Sequence, residues 1–160
     1  MIEIVTGNLL DAKEKYICHI CNCVSHSAAG VAKQLFLKYP YSNDYVNRKS
    51  VTTPGTINIK GNGKDQRYIV NLFAQYYPGK SKYENSLLDG IMARERFFSE
   101  CLTLLSYTKN LESIAMPFNI GCGLAGGNWE RYYSIIEKFA IDIHKSQGAL
   151  VKLYKLEEQE

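Results

Sequence analysis

A nearly unbroken apolar run, Tyr16 to Val24, lies early in the chain with no glycine or proline inside it. A strand of that composition is buried on both faces, so the sheet around it needs a helical layer on each side. The remaining segments fit that demand. Ile2 to Thr6 alternates as a first strand and stops at Gly7-Asn8. After the small-residue turn Ser25 to Gly30, Val31, Ala32, Leu35, Phe36 and Tyr39 share one helical face, and Tyr39-Pro40 ends that helix. Residues 41–54 read as irregular connection. Gly55 to Ile59 and Arg67 to Gln75 are strands joined through the turn Gly61-Asn62-Gly63. Ser81-x-x-Glu84 has the form of a capping box, which starts the next helix at Ser81 and carries it to about Leu105, with Leu87, Leu88, Ile91, Phe98, Leu102 and Leu105 inward. Ser113 to Met116 is a strand. Trp129 to Lys145 is a helix with Tyr132, Ile136, Phe139 and Ile143 on its apolar face and Gly148 as its stop, and Ala149 to Leu156 closes the sheet. Strands alternating with helices give an α/β sandwich with a mostly parallel sheet.

At 160 residues, with 46% hydrophobic and 22% charged, the chain suits one domain with one core. No apolar run reaches membrane-spanning length. The opening strand leaves no room for a secretory leader, so the five cysteines are expected as reduced thiols in a cytoplasmic or nuclear setting. The net charge of +3 comes from scattered lysines and arginines, and Glu157, Glu158 and Glu160 form a short acidic tail. Without a dense basic stripe, a small anionic ligand suits the chain better than a long polyanion.

Ligands of parallel sheets bind beyond the carboxyl ends of the strands. Five features fall there: Gly7-Asn8, the stretch Asn22 to Gly30, Lys80, the loop Pro117 to Trp129, and Tyr154. The loop holds four glycines in seven residues, Gly121 to Gly127, between a strand and a helix. Such a loop lets backbone N–H groups converge with a helix N-terminus on a phosphate. Its Gly121-x-Gly123-x-x-Gly126 spacing is formally a dinucleotide fingerprint, but it comes too late, with one strand left and no acid at a strand end about 20 residues on. Gly79-Lys80-Ser81 resembles the end of a nucleotide P-loop, yet the pattern's first glycine falls at Ala74.

Among the side chains, Lys80 before a helix start is either a nucleophile, once partly desolvated, or a solvated surface lysine. His19 is either a core histidine or a base, and His26 in the turn is better exposed. Asn22, polar in an apolar run, needs hydrogen bonds from a ribose hydroxyl or from backbone. Tyr154 stacks a base or covers the sheet edge. Cys18, Cys21 and Cys23 lack the turn that a zinc knuckle needs, so no metal or other cofactor is expected.

Together, Gly7-Asn8-Leu9-Leu10, Asn22-Cys23-Val24 with Ala29-Gly30-Val31-Ala32, and Ile120 to Gly127 with Trp129 resemble the motifs of the macrodomain family, which binds ADP-ribose. The resemblance covers essentially residues 1–160 and implies a three-layer α/β/α sandwich with a mixed, mostly parallel central sheet. It implies that Gly7, Asn8 and Leu9 meet adenine with Tyr154 stacking beside it. It further implies that Ala29, Gly30, Val31 and Ala32 face Asn119, Gly121, Cys122, Gly123, Leu124, Ala125 and Gly126 across the pyrophosphate. Two branches of the family compete. His19 to Cys23 and Leu37 to Pro40 look like the ADP-ribose 1″-phosphate phosphatases, in which residues matching His19 and Asn22 are tied to activity. Gly79 to Glu84 and the Gly-Cys-Gly-Leu loop look more like hydrolases that remove ADP-ribose from protein glutamate or from thymidine in DNA, in which a lysine matching Lys80 is catalytic. Asn8 replaces the usual aspartate, and Ala125 stands where glutamate-directed members carry one, which favours the DNA type. The expected partner is ADP-ribose or an ADP-ribosylated macromolecule, and the expected state is a monomer. A non-catalytic reader of ADP-ribose is the third class.

Overall fold

The computed structural model describes residues 1–157, and Glu158 and Glu160 of the acidic tail lie outside the described residues. The strands are β1 (Ile2–Thr6), β2 (Tyr16–Asn22), β3 (Thr56–Lys60), β4 (Tyr68–Gln75), β5 (Ser113–Pro117) and β6 (Leu150–Lys155). The helices are α1 (Gly30–Lys38), α2 (Ile91–Ser106) and α3 (Trp129–Gln147). The strands form one sheet in the order β1-β6-β5-β2-β4-β3. All neighbours are parallel except the edge strand β3, which runs antiparallel to β4 as the turn at Gly61 to Gly63 requires. The architecture is a three-layer α/β/α sandwich with a mixed, mostly parallel sheet. Among the described residues no helix is long and apolar enough to cross a membrane.

The alternation along β2 sorts the layers. Tyr16 and Cys18 pack with Phe98 and Leu102 of α2 and Ile136 and Phe139 of α3, while Ile17, Cys21 and Cys23 share the other face with Leu35 and Phe36 of α1. α3 ends as its sequence predicts: Gly148 adopts φ +69 and its N–H reaches His144 O and Ile143 O, with His144 and Lys145 in the last turn. At its start, the Asn128 side chain accepts from Arg131 N.

Two expectations fail. α2 begins at Ile91 with Gly90 as its N-cap, ten residues beyond Ser81. The Ser81 hydroxyl does not cap a helix; it donates to Asp89 O, while Ser86 Oγ accepts from Leu88 N and Asp89 N in a separate turn. Leu87, Leu88 and Ile91 are therefore exposed rather than inward, whereas Phe98, Leu102 and Leu105 are buried as expected. Val31, placed on the inward face of α1, is also exposed, because the first turn of that helix stands at the rim of a cavity.

Candidate functional site

A cavity of about 400 Å³ opens beyond the carboxyl ends of β2, β4 and β5. One wall is the first turn of α1 with the turn before it; the other is the β5–α3 loop from Pro117 to Ala125. Pro78 and Gly79, after β4, border it as well.

The walls present backbone donors. Ala29 caps α1 without a side-chain hydrogen bond, and Lys33 N is the first amide of that helix with a partner, Ala29 O at 3.4 Å. The amides of Gly30, Val31 and Ala32 thus make no bond among the described residues. The opposite loop divides its amides between two jobs. Those of Ile120, Cys122, Gly126 and Gly127 close its own turns, onto Pro117 O, Asn119 O, Gly123 O and Gly121 O. Those of Gly121, Gly123, Leu124 and Ala125 find no partner among the described residues. Gly121 at φ +78 sits so close to Tyr132 that a Cβ there would lie 2.4 Å from the ring. Asn119 holds φ +68, uncommon for a residue with a side chain but tolerated by asparagine. Among the described residues no Asp, Glu, Lys or Arg borders the cavity. Two facing rows of neutral N–H groups, one on a helix N-terminus, suit an anion with oxygens on both sides.

Asn22 occupies the floor. Its Oδ1 accepts from Val24 N at 3.0 Å and Ser25 N at 2.8 Å, which leaves the Nδ2 group for a ligand. Residues 41–54, expected only as connection, brace this turn from behind. Asn22 N donates to Tyr45 Oη at 2.7 Å, and Arg48 donates to Asn22 O at 2.9 Å and Ser25 O at 3.0 Å. The Arg48 guanidinium also stacks 4.7 Å from the Tyr45 ring centroid.

His19 borders the cavity but is only 1% exposed. Asn71 Nδ2 donates to Ser42 O and Asn58 Oδ1, so its Oδ1 is the acceptor facing His19 Nε2 at 2.7 Å and places the ring proton there. Burial pulls the imidazole down to about 4, against the smaller opposing effect of the Asn71 hydrogen bond. The ring is neutral, and its basic nitrogen, Nδ1, lies 3.9 Å from Cys21 Sγ.

Other expected residues lie off the cavity wall. His26 is exposed beyond it. Lys80 follows the bordering Gly79, and its stem lies along Gly126, where a Cβ would come within 3.1 Å of Lys80 Cγ. Cys122 and Gly126 turn away into the loop's own bonding. Gly7, Asn8 and Leu9 sit at the end of β1, with Asn8 Oδ1 accepting from Leu10 N. Tyr154 does not face the cavity: its hydroxyl donates to Glu14 Oε1 at 2.6 Å and its ring packs on the α1 side against the cluster of Leu9, Ala12 and Ile17. The aromatic rings that do border the cavity are Phe118 and Tyr45. Phe118 packs on Trp129 at 4.8 Å under Lys155, whose Nζ lies 5.0 Å from the ring centroid.

No family model and no curated protein matches the sequence. Solved structures match the fold. The macrodomain of Mycobacterium tuberculosis DarG superposes with a TM-score of 0.70 at 20% identity over 97% of this chain and 97% of its own. The macrodomain of Thermus aquaticus DarG gives 0.69 at 24% identity over 96% and 97%. The chain has the macrodomain fold. A third macrodomain, from Oceanobacillus iheyensis and solved with ADP, gives 0.66 at 20% identity over 98% of this chain and 84% of its own. Within that macrodomain fold, the loops at the carboxyl ends of β2 and β5 form the facing donor rows described above.

Proposed function

We propose that the chain binds ADP-ribose in this cavity and hydrolyses the bond at the anomeric carbon of the distal ribose, releasing mono-ADP-ribose from a macromolecule. The observation that carries this is the pair of facing, unspent N–H rows, Gly30 to Ala32 against Gly121 to Ala125. A pyrophosphate between them accepts from both sides without a neutralising side chain. The ADP of the Oceanobacillus iheyensis structure is a ligand of that chemistry. Asn22 Nδ2 meets a hydroxyl of the distal ribose, and Lys80, at the lip beside Gly79 and Gly126, polarises or attacks the anomeric centre. Ala125 offers no carboxylate, which favours thymidine in DNA over protein glutamate as the attachment.

A panel of ADP-ribosylated thymidine, ADP-ribosylated glutamate and ADP-ribose 1″-phosphate tests the assignment on one preparation. Release of ADP-ribose from the thymidine conjugate is expected. Lys80→Ala should abolish that release while ADP-ribose still binds, since a contact made mainly in the transition state costs turnover more than affinity. Unchanged turnover in Lys80→Ala removes the lysine from the mechanism. Phosphate release alone would assign the phosphatase reaction, and binding without turnover on any substrate would make the protein a reader.

A further inference from the structure

We infer that the buried Asp89–Arg94 ion pair is a positioning element that fixes the backbone on both sides of Lys80. This rests on the proposed role of Lys80 and adds two residues to it. Arg94 lies in the first turn of α2, 3% exposed, and Asp89 just before the helix, 1% exposed. Arg94 Nη2 and Nε donate to Asp89 Oδ1 at 2.6 and 3.2 Å. The guanidinium spends two further donors on the loop after β4, with Nη1 on Gly79 O at 2.6 Å and Nη2 on Tyr77 O at 3.2 Å. Asp89 holds the other flank: its Oδ2 accepts from Lys82 N at 3.1 Å and its carbonyl from Ser81 Oγ.

The clamped atoms bracket one residue. The carbonyl of Gly79 immediately before Lys80 is held by Arg94, and the Ser81 hydroxyl and the Lys82 amide, one and two residues after it, by Asp89, while the Lys80 stem rests on Gly126. Further along, Tyr83 and Leu87 of the same loop are 69% and 80% exposed, so the anchoring is concentrated around the lysine. A buried ion pair adds little stability over a well-packed apolar pair, and breaking one is costly. What this pair supplies is direction. A rigid guanidinium fork reaches Asp89 and two carbonyls at once, which an ammonium cannot do.

Arg94→Lys in the full chain is the test, because it keeps the charge against Asp89 and loses the fork. The expected result is a kcat lowered on the order of tenfold to a hundredfold, the scale of a misplaced reacting group, with the ADP-ribose Kd held within about threefold. If Arg94→Lys does not fold, Ser81→Ala, which removes one bond to Asp89, should lower kcat in the same direction by a smaller factor. A lower melting temperature with kcat unchanged would leave the pair purely structural and overturn the inference alone. Full turnover in Lys80→Ala would overturn the proposed mechanism and the inference with it.

Discussion

His19 shows how one buried side chain is decided by its neighbours. Its imidazole titrates near 6.5 when exposed and is brought down to about 4 by burial. Between those values the unfolded chain binds a proton that the native state refuses, so His19 stabilises the fold above pH 6.5 and loses that contribution as pH falls towards 4. The size of the loss is about 3 kcal/mol across that window. Urea denaturation at pH 7 and pH 4 on the wild type and on His19→Gln, which keeps a donor towards Asn71 without titrating, should show a shallower pH dependence in the variant. Equal slopes would contradict the neutral, buried imidazole. The same burial explains why the sequence leaves His19 open between core and base: its strand position is readable, but the Asn71 partner comes from β4, 52 residues away.

At the scale of elements, the β5–α3 loop separates shape from function by residue. Gly121 is needed for shape, with positive φ and Tyr132 against its Cβ position, whereas Gly123 has no heavy atom within 4 Å of its Cβ position and borders the cavity. Thermal melting should therefore show Gly121→Ala destabilised by about 1–3 kcal/mol and Gly123→Val close to wild type. A normal melting temperature for Gly121→Ala would remove the packing requirement. The loop is legible in the sequence because its glycines fall between a strand and an amphipathic helix. The start of α2 is not. Ser81 and Glu84 match a capping box, yet the segment folds back on Asp89 and Arg94, whose pairing the box pattern does not encode. A signal was present nonetheless: Arg94 shares helical spacing with Phe98, Cys101 and Leu105, and an arginine on an apolar stripe calls for a buried partner. Tyr45 and Arg48 were hidden for a related reason, since the turn they brace is remote in sequence and comes together only through tertiary contact.

Across the whole molecule, parallel strand order brings the ends of β2, β4 and β5 together and leaves the ends of β1 and β6 to one side. That topology explains why the expected residues divide. Those on the first turn of α1 and most of the glycine loop share one cavity, Cys122 and Gly126 turn away from it, and Asn8 and Tyr154 bond elsewhere. It also means that the proposed anion site would rest on backbone groups, because among the described residues no charged side chain borders the cavity. The most direct test is calorimetric titration of ADP-ribose into the wild type and into Gly123→Val. A one-to-one isotherm in the wild type that is lost in the well-folded variant is predicted. No binding by the wild type, or equal binding by both, would contradict a pyrophosphate site between the two loops.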